Sequence, residues 1–126
     1  VRGCNLGISG ARRIAESLRT NATLRVLNLA ENDICDVGAG HMAKALADNG
    51  TLRDLDLGTN SVGPTGGTAL FEALERNPGS SLERLILDWN EIGRGGTEGV
   101  AEAIARAIGR EGAILSELGL SMCRIG

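Results

Sequence analysis

Aromatic side chains are almost missing from this chain of 126 residues, which has one Trp, one Phe and no Tyr. A core must therefore be filled with Leu, Ile, Val and Ala. Long apolar runs are also missing, none approaching the roughly 18 residues of a membrane span, so no membrane partner is expected. Positive charge is not in excess: 13 Lys and Arg stand against 16 Asp and Glu, a net charge of −3. Without a basic stripe, the electrostatic footprint of a nucleic-acid binder is lacking. No basic segment followed by an apolar stretch opens the chain, so no secretory signal is visible. The three cysteines, Cys4, Cys35 and Cys123, are odd in number and have no CxxC spacing. That pattern fits reduced thiols in a cytoplasmic protein and neither a disulfide framework nor a zinc site. Neither a metal nor a cofactor is expected.

What the chain does have is a period. Leu24-x-x-Leu27-x-Leu29-x-x-Asn32-x-Ile34 returns as Leu52-x-x-Leu55-x-Leu57-x-x-Asn60-x-Val62 and as Leu82-x-x-Leu85-x-Leu87-x-x-Asn90-x-Ile92. A fourth copy runs Leu115-x-x-Leu118-x-Leu120-x-x-Cys123-x-Ile125, and Cys4-x-Leu6 is the tail of another. Six residues after each Asn or Cys stands a glycine: Gly10, Gly38, Gly66 and Gly96. Beyond it come the apolar sets Ile14, Ala15, Leu18; Met42, Ala43, Leu46; Leu70, Phe71, Leu74; and Val100, Ala101, Ile104. Alternating leucines predict a short strand with its leucines turned inward. The i, i+1, i+4 sets predict one apolar face of a helix. Neither element buries a core alone, so successive units must stack. At the ladder position, Cys4, Asn32, Asn60, Asn90 and Cys123 are expected to face the free backbone groups of the turn, with Cys serving as a small substitute for Asn.

These residues resemble the ribonuclease-inhibitor-like class of leucine-rich repeats, which also includes the sensing arrays of NOD-like receptors and the GTPase-activating protein for Ran. The resemblance implies a right-handed α/β solenoid with parallel strands on the concave side and helices on the convex side. It implies one domain over 1–126: a partial repeat 1–23, repeats 24–51, 52–81 and 82–114, and a partial repeat 115–126. Neither end carries a polar cap, as expected of a fragment of a longer array. The extra residues of the longer units, Pro78-Gly79-Ser80-Ser81 and Gly109-Arg110-Glu111-Gly112, are expected between helix and next strand.

Function is then expected on the concave face, written by the residues between the leucines. These include Arg25, Val26, Asn28, Ala30 and Glu31; Arg53, Asp54, Asp56, Gly58 and Thr59; Glu83, Arg84, Ile86, Asp88 and Trp89; and Ser116, Glu117, Gly119, Ser121 and Met122. Three Arg against six acids favour a protein partner with a basic surface. The competing reading pairs Arg53 with Glu83 and sets Asp54, Arg84 and Glu117 in a self-satisfied ladder. Trp89, with Ile86 and Met122 as apolar neighbours and Asp88 and Asp56 in the same partner-binding set, is the candidate anchor, because Trp is enriched at binding hot spots. The alternative has it folded over Ile86 and Thr59.

The rest are weaker signals. Gly38-x-Gly40-x-x-Ala43 matches a dinucleotide fingerprint but follows a turn instead of a strand. His41 is alone. Asn21, Asn49 and Asn77, at one repeat position, are expected to end the helices in left-handed conformation. The reading is a non-catalytic interaction scaffold. The alternatives are a GTPase-activating module of the Ran-directed type, and a purely architectural segment of a larger receptor.

Overall fold

A computed structural model describes residues 2–95, 98–109, 115–121 and 123. Gly96, Met122, Ile125 and residues 110–112, each named in the repeat pattern, lie outside the described residues. Helices and strands alternate: α1 Gly7–Thr20, β1 Val26–Asn28, α2 Cys35–Asp48, β2 Asp54–Asp56, α3 Pro64–Arg76, β3 Arg84–Ile86, α4 Glu98–Gly109 and β4 Glu117–Gly119. The strands form one parallel sheet in chain order. Its register puts Leu27, Leu55, Leu85 and Leu118 side by side, one residue from each copy of the motif.

The core is aliphatic. Leu55 and Leu85 from the strands and Leu29, Leu57 and Leu87 just beyond them join Met42, Leu46, Leu70 and Phe71 from the helices, all essentially inaccessible. The glycine six residues past the ladder position is demanded by this packing. A Cβ on Gly38 would lie 2.3 Å from the Ile34 side chain, and one on Gly66 would lie 2.9 Å from the Ala39 Cβ. Gly38 and Gly40 both sit inside α2, so the apparent dinucleotide fingerprint is part of a helix and forms no phosphate loop. Pro64 opens α3, where its missing N–H costs nothing. The start of that helix is capped from the neighbouring repeat, the Asp36 carboxylate accepting from Gly63 N (2.7 Å) and Gly66 N (2.9 Å).

Two expectations about the helices need correction. The fourth helix is described from Glu98 to Gly109. Its buried face is Val100, Ala103 and Ala107 with Ile104 packed beside them, and of the expected set only Ala101 is exposed. Among the described residues α4 packs against one helix only, α3, so the flank bearing Ala101 is uncovered.

The second correction concerns Asn21, Asn49 and Asn77. None is left-handed: their φ values are −73°, −82° and −108°. Their side chains instead tie repeats together. Asn49 Nδ2 donates to Leu18 O (2.9 Å) and Asn21 O (3.2 Å), and Asn77 Nδ2 donates to Leu46 O (2.7 Å) and Asn49 O (2.9 Å). The same amides turn the chain out of the helix: Asn49 Oδ1 accepts from Thr51 N and Leu52 N, as Asn21 Oδ1 does from Thr23 N and Leu24 N. A helix ends with unfilled carbonyls, and here the next repeat's amide fills them.

Candidate functional site

The open face of the sheet is held in shape by the turn at its C-terminal edge. There Asn32, Asn60 and Asn90 are fully or almost fully buried. Asn60 Oδ1 accepts from Asn32 N (2.9 Å) and Ile34 N (3.3 Å); Asn90 Oδ1 accepts from Asn60 N and Val62 N, each at 2.9 Å. Asn32 Oδ1 likewise accepts from Cys4 N and Leu6 N. The Nδ2 groups turn to strand-end carbonyls: Asn60 to Leu29 O (2.8 Å) and Leu57 O (3.0 Å), Asn90 to Leu57 O and Leu87 O (both 2.9 Å). For two N–H groups of one turn to converge on one oxygen, alternate residues must be left-handed. Glu31, Asp33, Thr59, Ser61 and Trp89 are, with φ between 52° and 59°.

Cysteine ends this row on both sides. Cys123 is buried and donates to Leu87 O (2.9 Å), keeping the donor half of the amide's role but offering no oxygen to the turn before it. Burial pushes its thiol above the ordinary value, and Asp88 adds to the rise. Cys4 is exposed. Cys35 is half-buried and left-handed, and its thiol is pushed up by burial and by its hydrogen bond to Asp33.

Across the face, the sheet register aligns rows of side chains. Val26, Asp54, Arg84 and Glu117 form one row. In it Arg84 bridges Asp54 (3.1 Å) and Glu117 (3.1 Å), and its guanidinium is held above its ordinary value chiefly by the Glu117 hydrogen bond. Such half-exposed pairs contribute at most about 1 kcal/mol, and one guanidinium against two carboxylates leaves the row with one net negative charge. Among the described residues no ion pair joins Arg53 to Glu83; these neighbours meet through Glu83 N donating to Arg53 O (2.9 Å).

The next row holds Asn28, Asp56, Ile86 and Gly119. Ile86 was expected as an apolar neighbour of Trp89 on the surface, yet it is only 8% accessible. It lies over Gly119, whose missing Cβ leaves the space: a Cβ there would sit 2.8 Å from Ile86 Cδ1. Asp56 and Asn28 each fold back on the turn, accepting from Gly58 N and Ala30 N, both at 2.9 Å. Asp88 accepts from Ser121 N (2.8 Å) in the neighbouring repeat. These carboxylates have no ion-pair partner among the described residues, whereas Glu31 pairs with Arg2, a contact that sequence reasoning did not count.

Trp89 stands at the edge of this floor, 63% accessible and left-handed. Most of its surface is therefore open to solvent. The exposed indole, the Asp56 and Asp88 carboxylates and the small floor of Ala30 and Gly58 lie on one end of the sheet, with Arg25, Arg53 and Glu83 exposed at the other. No group of His, Cys, Asp and Glu able to hold a metal ion occurs among the described residues, and no helix there is long and apolar enough to cross a membrane.

Comparison with known proteins places this architecture. A family model described as Leucine Rich repeat matches residues 20–43 and 48–71. The curated protein sequences include no match to the chain. Among solved structures, leiomodin-1 actin-binding site 2 superposes with a TM-score of 0.82 at 24% identity, over 97% of this chain and 68% of that one. The C-terminal domain of tropomodulin from Caenorhabditis elegans gives 0.77 at 18% identity, over 99% and 76%. With the leucine and asparagine ladders in register across a parallel sheet backed by helices, the chain folds as an α/β solenoid of the leucine-rich-repeat type, and two of its repeats match that family's model.

Proposed function

We propose that the chain is a non-catalytic scaffold for protein–protein interaction, binding a partner with basic groups on the concave sheet and anchoring it at Trp89. The observation that carries this reading is the 63% exposure of the only Trp, beside two carboxylates that lack ion-pair partners among the described residues. An indole exposes a large apolar and cation-attracting surface at little entropic cost. The left-handed backbone at this position is imposed by the turn, since Gly3, Glu31 and Thr59 share it. A bulky side chain is unfavourable there, so folding does not account for the Trp.

Within the nominated set, Trp89, Asp88 and Asp56 would carry the binding energy. Asp54 and Arg84 already satisfy one another, Ile86 is covered, and Glu31 is engaged by Arg2. Arg53 and Asn28 would lie on the rim. The likeness to leiomodin-1 actin-binding site 2 supports the view that a few repeats of this shape can serve a protein partner. The four strands offer only about 300 Å² in projection, against the roughly 800 Å² per partner of a stable interface. The face here would be part of a larger one. The 28-residue repeat with a full helix supports assignment to the ribonuclease-inhibitor-like class, and the free thiols support a cytoplasmic setting.

The test is affinity capture followed by titration of the captured partner, with the wild type, Trp89→Ala and Arg84→Ala, each first shown to be folded by circular dichroism. Trp89→Ala is expected to weaken binding by about 30-fold, equivalent to a 2 kcal/mol hot spot, and Arg84→Ala by less than about fivefold. Equal binding by all three would remove the concave face from consideration.

A further inference from the structure

We propose that Asn49–Gly50 is a self-modification site, at which the chain converts its own asparagine to aspartate or isoaspartate when the boundary between α1 and α2 comes open. The side-chain carbon of an asparagine can be attacked by the backbone nitrogen of the residue that follows it. The attack is least hindered when that residue is glycine, which has no side chain to crowd the ring. Of the eight asparagines in the chain only Asn49 is followed by glycine. Gly50 is exposed, so water and hydroxide reach its N–H.

Water is the only co-reactant, and no electrons are gained or lost. Gly50 N gives up its proton and bonds to Asn49 Cγ. The bond from Cγ to Nδ2 breaks, and the amide nitrogen takes up the proton and leaves as ammonia. A cyclic imide remains. One water then opens the ring at either carbonyl. Opening on the side-chain side gives aspartate. Opening on the main-chain side gives isoaspartate, with the backbone now running through Cγ.

The folded structure keeps the two reacting atoms from meeting. With ψ of Asn49 at 131°, the Gly50 nitrogen is turned away from the side chain that it must reach. The amide is held at both ends: Nδ2 donates to Leu18 O (2.9 Å) and Asn21 O (3.2 Å), and Oδ1 accepts from Thr51 N (3.0 Å) and Leu52 N (2.8 Å). Asn49 is 4% accessible. Gly50 is pinned from the following repeat, its carbonyl accepting from Ser81 Oγ (2.6 Å). Both bonds on the leaving nitrogen run to the end of α1, so parting α1 from α2 releases it.

The product opposes reclosure. Aspartate has no hydrogen to give Leu18 O or Asn21 O, and it sets a charged carboxylate against two carbonyl oxygens in a buried place. Isoaspartate adds a carbon to the backbone between α2 and β2, the strand that carries Asp54 and Asp56 of the concave face. A passing local opening is thereby made permanent.

The 126-residue chain is to be incubated at mildly alkaline pH, folded and in urea, with conversion at each asparagine followed by peptide mapping and mass spectrometry. In urea Asn49 is expected to convert faster than any other asparagine. Folding is expected to slow it by about tenfold or more, because reaction then waits on local opening. Ser81→Ala releases Gly50 and leaves the amide's own bonds in place. It is expected to raise the folded rate and leave the urea rate unchanged. Asn49→Asp, which carries one product from the start, is expected to lower the melting temperature by about 5 °C or more. Equal rates at Asn49 in the folded and the urea-unfolded chain would overturn the proposal. So would an Asn49→Asp chain that melts with the wild type, since its product would then close as readily as asparagine does.

Discussion

Two rows of asparagines run through this molecule, one in the turns at the front and one where the helices end at the back. They use the same amide differently. At the front, Asn60 makes three bonds across the repeat boundary: two N–H groups come to its oxygen, and one goes from its nitrogen to Leu29 O. At the back, Asn49 makes two across the boundary, both from its nitrogen, and spends its oxygen on Thr51 N and Leu52 N of its own repeat. The front carbonyls are shared acceptors: Leu29 O receives both Asn32 Nδ2 (3.0 Å) and Asn60 Nδ2 (2.8 Å). The front row therefore protects buried N–H groups, which have one hydrogen each and no alternative. Across the boundary the back row protects only carbonyls, and Asn21 O also receives the Thr51 hydroxyl (3.4 Å). An orphaned buried donor is the more damaging loss.

That difference can be broken by mutation. The largest effect is expected for Asn60→Ala, which strands Asn32 N–H and Ile34 N–H in the core. At about 1–3 kcal/mol for each buried unsatisfied group, it should lower unfolding free energy by about 4 kcal/mol in urea titration. Asn49→Ala should cost about 2 kcal/mol in the same experiment, because it strands one buried N–H, that of Leu52, while Asn21 O keeps the Thr51 hydroxyl. A cost for Asn49→Ala equal to that for Asn60→Ala would erase the distinction between the rows. The smallest effect sharpens the comparison. Cys123→Asn restores an oxygen toward Asn90 N–H and Ile92 N–H, and is expected to raise unfolding free energy by about 1 kcal/mol. No gain would mean that the donor half of the amide, which Cys123 already supplies to Leu87 O, is what the position requires.

The front row was legible in the sequence because one residue type recurs at one offset from three leucines, and a buried amide is the economical way to close such a turn. The back row was visible as a recurrence but misread. Asn ends many helices by adopting a left-handed backbone, and that local habit says nothing of an amide reaching two carbonyls 28 and 31 residues earlier. Trp89 falls in phase with the inward Leu85 and Leu87, so strand alternation alone does not account for its exposure; the left-handed turn beyond β3 breaks that phase. The covering of Ile86 was not legible, because it depends on the neighbour in the next strand being Gly119. The Arg2–Glu31 pair escaped for a related reason: Arg2 has no leucine triplet before it to mark its place. Contacts between repeats decide these positions, and a pattern read along one repeat is blind to them.

The asparagine amides also give the array a sense of direction. Asn32, Asn60 and Asn90 turn their oxygens toward the repeat before them, and Asn49 and Asn77 send their nitrogens the same way. Each repeat is thus completed by its successor. Damage at Asn90 would loosen the turn at Asn60 and Val62 while leaving Cys123 in place, so a lesion in this solenoid spreads upstream. A chain emerging N-terminus first would hold every turn half-closed until the next one arrives.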